Sequence, residues 1–136
     1  MTPQYPMNAQ MEDGVKELIS SFYAVSDTPG MNEEWRDFYA KDAYLWMAND
    51  RAHGHDEILK VRHKMWELVA ERKHTVEKVF PASFNPGKAE FMLQGTVNYT
   101  LRTGEKAGAD WAGHATLKKN DAGEWKFEYY RVYIQR

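Results

Sequence analysis

The spacing of apolar residues changes once along this chain, and that change decides its fold class. Up to about residue 73, most apolar residues recur every three or four positions, which is typical of amphipathic helices. From His74 onward they alternate with polar residues, which is typical of strands that bury one face. The pattern therefore predicts a mainly helical first part and a sheet that follows it.

Three helices and one strand are predicted before this change. The helices cover residues 11–26, 32–39 and 54–73, and the strand covers residues 43–47. The first helix ends at Asp27-Thr28-Pro29-Gly30, a run of helix-breaking residues. The apolar face predicted for the third helix consists of Ile58, Val61, Met65, Leu68 and Val69.

Four strands are predicted after the change, over residues 74–84, 89–103, 109–119 and 124–135. Because short turns join them, they should pair as consecutive hairpins, and the three helices must cover one face of the resulting sheet. The expected fold is α+β, with a cone-shaped curved antiparallel sheet wrapped around three helices and an interior pocket. Residues 1–10 are expected to form a flexible arm, and residues 11–136 a single domain.

Composition excludes several classes of function. The chain has no cysteine, which excludes disulfides, zinc–thiolate sites and cysteine nucleophiles. A net charge of −2 without a long basic run argues against a nucleic-acid partner. No apolar run approaches the roughly 18 residues of a membrane span, so no membrane partner is expected. We predict a cytoplasmic protein. The chain's 14% aromatic residues fit either an aromatic core or a small-molecule pocket.

One pair of histidines, His53 and His55, lies two residues apart and raises the question of a metal site. Two histidines at this spacing hold a metal only if further ligands converge on them. His63 and Asp50 are the nearest candidates, but His63 lies on a helix flank that is expected to face solvent. Asp56 and Glu57 instead fit the first turn of a helix, where carboxylates offset the helix dipole. We therefore predict no metal and no cofactor.

Three short stretches carry a resemblance to a known superfamily. They are Phe38-Tyr39-Ala40-Lys41-Asp42-Ala43 before the first strand, Gly54-His55-Asp56-Glu57-Ile58 at the start of the third helix, and Leu117–Phe127 in the last hairpin. In this order and spacing they resemble the nuclear transport factor 2-like superfamily, in its SnoaL-like branch, over about Val15 to Tyr133. The resemblance implies a cone with an interior pocket. It also implies a homodimer, because many members pair through the sheet.

The enzyme resemblance within this superfamily is to the scytalone dehydratases. Those enzymes use histidines, an acidic residue and tyrosines to remove water from a phenolic polyketide. The resemblance implies catalytic roles for His74 and for Asp27, with Tyr23 nearby at the end of the first helix. A second catalytic histidine is expected on the strand that contains Asn98, and none is there. Asn98 itself could only orient a substrate or donate a hydrogen bond.

His114 is a further catalytic candidate, because other SnoaL-like enzymes place a pocket histidine on this strand. Strict alternation puts His114 on the face opposite to Trp111 and Ala115, which would direct it away from the helices. A bulge at Gly113 would reverse this orientation. The sequence therefore leaves open whether His114 faces the pocket or the outer side of the sheet.

The predicted substrate-binding side chains are mostly aromatic. They are Tyr23, Tyr39, Trp46, Met65, Tyr99, Trp111 and Asn98. Such a lining suits a flat, apolar or aromatic small molecule better than a sugar or a charged metabolite.

The predicted function is a cofactor-free dehydration, isomerisation or cyclisation of a polyketide-like or terpenoid-like molecule. His74 would act as the general base or acid, and Asp27 would orient it or share its proton. Two alternatives stay open. The chain could be a binding module that uses the same pocket without catalysis. It could also be a dimeric structural domain whose own Trp and Met side chains fill the cavity.

Overall fold

The structure, a computed structural model, describes residues 2–135 and shows three helices packed on one face of a six-stranded sheet. The elements are α1 (Val15–Ser26), α2 (Asn32–Asp37), β1 (Tyr39–Met47), β2 (Asp50–His53), α3 (His55–Met65), β3 (Val69–Ala82), β4 (Lys88–Leu101), β5 (Lys106–Lys119) and β6 (Trp125–Gln135). The strand order is β2-β1-β6-β5-β4-β3. The sheet is curved and unclosed, so the predicted α+β cone is confirmed. Met1 and Arg136, the ends of the predicted arm and domain, lie outside the described residues.

Strands β3 to β6 pair as successive antiparallel hairpins, as predicted. β1 differs, because it pairs in parallel with β6, with Leu45 opposite Tyr130. Parallel neighbours need a long connection between them, and most of the domain lies between β1 and β6 in the chain. β2 was not predicted, and it joins β1 through the two-residue turn Ala48-Asn49, where Ala48 has φ 52°.

The third helix is shorter than predicted, because it ends at Met65 rather than near Lys73. Two arginines bond the carbonyls of residues 65–67, which a longer helix would use for its own N–H groups. Arg72 donates to the carbonyl of Met65 at 2.8 Å, and Arg102 donates to those of Trp66 and Glu67 at 2.8 and 3.1 Å. Leu68, which was predicted on the apolar helix face, is consequently 75% exposed.

Strand β3 contains a bulge that changes which side chains face the helices. Its register against β4 shifts between Val76 and Lys78, so the next buried residue after Val76 is Val79. Uninterrupted alternation from His74 through Val76 would place Phe80 on the inner face, but the bulge turns it to the outer face, where it is 53% exposed. Gly95 lies opposite the bulge, and a Cβ there would come within 1.8 Å of the β3 backbone. Only glycine therefore permits this close approach of the two strands.

The core between the helices and the sheet is largely aromatic. The ring of Phe22 on α1 contacts six other rings at centroid distances of 4.8 to 6.0 Å, those of Tyr23, Trp35, Phe38, Tyr39, Phe127 and Tyr130. This cluster fixes α1 and α2 on one end of the sheet and leaves the other end of the cone for a cavity.

The N-terminal segment contacts the sheet at one point. The main chain of Gln4 donates to Glu77 at 2.8 Å and accepts from Val79 at 3.0 Å, beside the β3 bulge. The flexibility expected for the rest of residues 1–10 stays a prediction. Among residues 2–135, no helix is long and apolar enough to cross a membrane.

Candidate active site

A cavity of about 520 Å³ lies between α1, α3 and the inner face of the sheet. Its wall is mostly apolar and aromatic, and its polar side chains include His74, Tyr23, Tyr130 and Arg72. Asp50 also lines it and forms an exposed ion pair with Lys64 at 2.9 Å. A small organic molecule of two or three rings would fit a space of this size.

His74 and Asp27, the predicted acid–base pair, are in direct contact. Nδ1 of His74 lies 2.5 Å from Oδ1 of Asp27, and the main-chain N–H of His74 donates to Oδ2 at 2.9 Å. The two side chains are only 15% and 14% exposed. Because a carboxylate can only accept hydrogen bonds, Nδ1 carries the proton and Nε2 is the basic nitrogen. The carboxylate thus fixes both the tautomer and the position of the imidazole.

Two aromatic rings hold the imidazole against the cavity wall. The centroid of the His74 ring lies 5.2 Å from that of Tyr23 and 5.4 Å from that of Trp111. The indole N–H of Trp111 donates to the carbonyl of Thr96 at 2.9 Å, which fixes the indole in turn. His74 therefore sits in a largely apolar surrounding with little rotational freedom.

Arg62 on α3 holds the main chain on both sides of Asp27. Its guanidinium donates at 2.7 to 3.2 Å to the carbonyls of Val25, Ser26 and Thr28 and to the side-chain oxygen of Asn32. The residue is fully buried, and this burial lowers the pKa of Arg62 to about 10. The guanidinium is still protonated at neutral pH, and a cation is favourable at the C-terminus of a helix. Arg62 thereby places the carboxylate of Asp27 for His74.

Tyr23 and Tyr130 form a pair of hydroxyl groups on the cavity wall. Their oxygens are 2.7 Å apart, and both residues line the cavity. The pair holds two hydroxyl hydrogens and uses one of them in its mutual bond, so the second is available to an acceptor in the cavity. Gly113 gives the Tyr130 ring its space, since a Cβ there would lie 3.0 Å from it.

Burial keeps these two hydroxyl groups protonated. Desolvation is the main cause that raises the pKa of Tyr130, and it raises the pKa of Tyr23 well above its ordinary value, with the neighbouring Tyr130 adding to the effect. At neutral pH the pair can therefore donate a hydrogen bond to an oxygen that gains negative charge, but it cannot act as a base.

Four of the predicted substrate-binding residues line the cavity, and three do not. Those on the wall are Tyr23, Met65, Tyr99 and Trp111. Tyr39 lies in the aromatic core, 1% exposed, and Asn98 and Trp46 lie on the outer face of the sheet. The prediction is wrong for Asn98 and Trp46 because the residues next to them in their strands take the inner face. It is wrong for Tyr39 because its ring packs in the core and does not reach the cavity.

His114 also lies on the outer face of the sheet. Strand β5 alternates regularly through Gly113, so no bulge turns His114 inward. Its Nε2 lies 2.6 Å from Oε2 of Glu90, and its ring lies 5.5 Å from that of Tyr129. His114 does not line the cavity, and the prediction that it is catalytic there is wrong.

His53 and His55 have partners at the start of α3. The ring of His53 stacks on that of Tyr44 at 4.2 Å, and Nε2 of His55 lies 2.7 Å from the carbonyl oxygen of Tyr39. Glu57 accepts the main-chain N–H of His53 at 2.8 Å, which resembles a capping box. This stretch therefore functions as a helix start, as the acidic residues after Gly54 indicated.

Sequence reasoning missed Tyr130, Arg62 and Arg72. Tyr130 and Arg72 could have been found by alternation, since Arg72 is two residues before His74 and Tyr130 is two residues before Val132 on the inner face. The Arg72 guanidinium lies over the ring of Tyr99 at 5.2 Å. No sequence signal marks Arg62, because its acceptors belong to a loop that is distant in the chain.

No model of a known family matches this sequence, and neither does any curated protein. Solved structures do match. A candidate scytalone dehydratase from Novosphingobium aromaticivorans has a TM-score of 0.79 and 14% identity, over 90% of this chain and 82% of that one. The hexachlorocyclohexane dehydrochlorinase LinA-type3 from Novosphingobium barchaimii has a TM-score of 0.78 and 13% identity, over 90% and 84%. ActVI-ORFA from Streptomyces coelicolor has a TM-score of 0.72 and 14% identity, over 90% and 98%.

At these identities the likeness concerns the fold. The alignments with the scytalone dehydratase-like and LinA structures each cover 90% of this chain, so the whole arrangement of helices and sheet is compared. The chain thus shares the fold of these structures, and this α+β cone is the fold that the resemblance of its three short stretches implied.

Proposed function

We propose that this protein is a cofactor-free lyase or isomerase that uses His74 as its general base. The observation that carries this proposal is the contact between His74 and Asp27, at 2.5 Å, on the wall of an apolar cavity. A carboxylate that fixes the imidazole in one tautomer and leaves Nε2 basic is the arrangement that proton abstraction requires. Similar structures include, by name, a dehydratase and a dehydrochlorinase, and both names denote elimination reactions.

The proposed reaction begins at a C–H bond next to an oxygen-bearing carbon. Nε2 of His74 takes the proton, and Asp27 stabilises the imidazolium that forms. The hydroxyl pair of Tyr23 and Tyr130 donates to the substrate oxygen on which negative charge develops. In a dehydration, the C–H electron pair becomes a C=C bond, the C–O bond breaks, and the leaving hydroxide takes the proton from His74 as water. In an isomerisation, the proton returns to another carbon.

The proposed substrate is an aromatic polyketide-like or a terpenoid-like molecule. The ring-lined wall and the volume of about 520 Å³ support this choice. The open cavity argues against a purely structural domain filled by its own side chains. If the protein only binds such molecules without reacting with them, deuterium exchange would reveal this as binding without exchange.

Deuterium exchange tests the proposal without knowledge of the natural substrate. The protein is incubated in heavy water with a panel of hydroxylated tetralones and terpenoid enones, and NMR follows the loss of C–H signals and the appearance of products. His74→Gln should slow exchange by about 10²–10⁴-fold. His114→Gln is the matched control, because it also removes a histidine paired with a carboxylate, and it should leave the rate unchanged. Ligand binding without exchange in the wild type would overturn the enzyme proposal and leave a binding module.

We also propose a homodimer that forms through the outer face of β3 and β4. Phe80 and Met92 are opposite each other there and are 53% and 43% exposed, which is unusual for large apolar side chains on a monomer. Sedimentation should show a dimer for the wild type and a monomer for Phe80→Glu. A monomeric wild type would contradict the proposal. The cytoplasmic location stays a prediction.

A further inference from the structure

A second recess, of about 400 Å³, lies outside the catalytic cavity at the end of β6. Arg131 and Tyr133 contribute to its wall from the outer face of the sheet, and the turn residues Ala48 and Asn49 close one side. Arg131 and Tyr133 do not line the catalytic cavity. Ala48, Val132 and Ile134 line both spaces, so the two adjoin, whereas Asn49, Arg131 and Tyr133 line the recess and not the cavity.

Two arginines meet one tryptophan beside this recess. On the outer face, Trp46 of β1 is paired with Arg51 of β2 on one side and with Arg131 of β6 on the other. The guanidinium carbons of Arg51 and Arg131 lie 3.8 and 3.3 Å from the Trp46 ring centroid, and that of Arg131 also lies 4.4 Å from the Tyr133 ring. Stacking of this kind holds the guanidinium planes in fixed orientations.

These arginines lack a counter-charge within residues 2–135. Neither Arg51 nor Arg131 forms an ion pair with a carboxylate or donates a side-chain hydrogen bond in that part of the chain. Stacking occupies the faces of a guanidinium, whereas its N–H donors point outward from the edge. An edge of this kind matches the two oxygens of a carboxylate. Arg131 therefore brings an uncompensated positive charge with fixed donors to the wall of the recess, and Arg51 adds a second charge beside it, across the Trp46 ring.

We propose that the recess binds an aromatic carboxylate. The carboxylate would lie against the N–H edge of Arg131, with Arg51 adding attraction, and the ring would lie against Tyr133, which is 42% exposed. Two features favour an attached ring over a bare oxyanion. The recess is far larger than a carboxylate alone, and its wall includes the ring of Tyr133, against which a second ring can pack. This site and the proposed catalytic function are independent of each other.

An NMR titration of the full chain tests this proposal. Benzoate, benzamide, acetate and inorganic phosphate are added in turn, and the indole N–H signals of Trp46 and Trp111 report on the recess and on the catalytic cavity respectively. Benzoate should shift the Trp46 signal with at least tenfold higher affinity than benzamide, acetate or phosphate. Arg131→Gln should weaken benzoate binding at least tenfold, whereas Arg36→Gln, which removes an arginine from the remote helix α2, should leave it unchanged.

A second variant separates loss of the site from loss of folding. Tyr133→Ser keeps both arginines, and in it benzoate should bind no more tightly than acetate. Equal affinity of the wild type for benzoate and benzamide would overturn the role of charge, and equal affinity for benzoate and phosphate would overturn the role of the ring. Shifts confined to Trp111 would place benzoate in the catalytic cavity and overturn the proposal.

Discussion

Removal of the Arg62 guanidinium should destabilise the protein and release the loop that carries Asp27. In Arg62→Met, three main-chain carbonyls and the side chain of Asn32 lose their donor. A buried acceptor without a partner costs about 1–3 kcal/mol. The lowest value for each of the three carbonyls gives about 3 kcal/mol in all. The lowest value applies because the bonds to Val25 and Thr28 are only partly buried, and because removal of the buried charge recovers part of the larger sum. For a chain of this size, that loss corresponds to a decrease in Tm of about 10 °C.

Thermal and urea unfolding followed by circular dichroism measures this loss. Arg36→Met is the control, because Arg36 is partly exposed and, within residues 2–135, pairs only with the adjacent Asp37. It should change the free energy of unfolding by less than about 0.5 kcal/mol. In the folded Arg62→Met protein, the imidazole N–H signal of His74 should shift or broaden as Asp27 moves. A loss below about 1 kcal/mol together with an unchanged imidazole signal would refute the argument, since the loop would then be held without Arg62.

Three further changes have defined outcomes. Tyr39→Phe removes a buried hydroxyl that has no hydrogen-bond partner in residues 2–135. Urea unfolding should therefore show unchanged stability or a gain of up to about 1 kcal/mol, and a loss of stability would reveal a partner. Gly95→Ala places a methyl group 1.8 Å from the Thr75 carbonyl oxygen and should lower the free energy of unfolding by more than about 3 kcal/mol in the same assay. An unchanged urea-unfolding midpoint would show that the two strands can separate. Burial raises the pKa of Tyr23 and Tyr130, so the folded state keeps protons that the unfolded state releases above about pH 10. The free energy of unfolding should therefore be constant from about pH 7 to 9 and fall above about pH 10. A urea-unfolding midpoint that stays constant to about pH 11 would contradict this.

Alternation placed Trp111 and Ala115 of β5 on the inner face correctly, because this strand alternates without interruption there. The same reasoning failed for Trp46. Tyr44, Leu45, Trp46 and Met47 are all apolar or aromatic, so alternation could not decide which of them faces the helices. It failed for Phe80 because a single extra residue in β3 reverses the two faces, and that bulge depends on the small Gly95 in the neighbouring strand.

The family resemblance led to one pair of the candidate site and also to His114, which lies on the outer face, and it missed the residues that tertiary contacts alone bring to the cavity. The resemblance indicated His74 and Asp27, and the structure brings them into contact. Arg62 could not be recognised, because a charged residue beside Val61 reads as a solvent-facing position until its distant acceptors are known. The end of α3 was misplaced for the same physical reason, since Arg102, in the turn after β4, bonds the carbonyls of Trp66 and Glu67 just past the end of the helix.

The contact of Gln4 with β3 has a consequence for aggregation. β3 is 14 residues long and is the last strand of an unclosed sheet, so its outer edge presents main-chain groups on which another chain could add a strand. Gln4 occupies this edge beside the bulge, and Pro81 provides no N–H farther along. The N-terminal segment therefore shields the edge, and a chain without residues 1–10 should oligomerise edge to edge before it loses its fold.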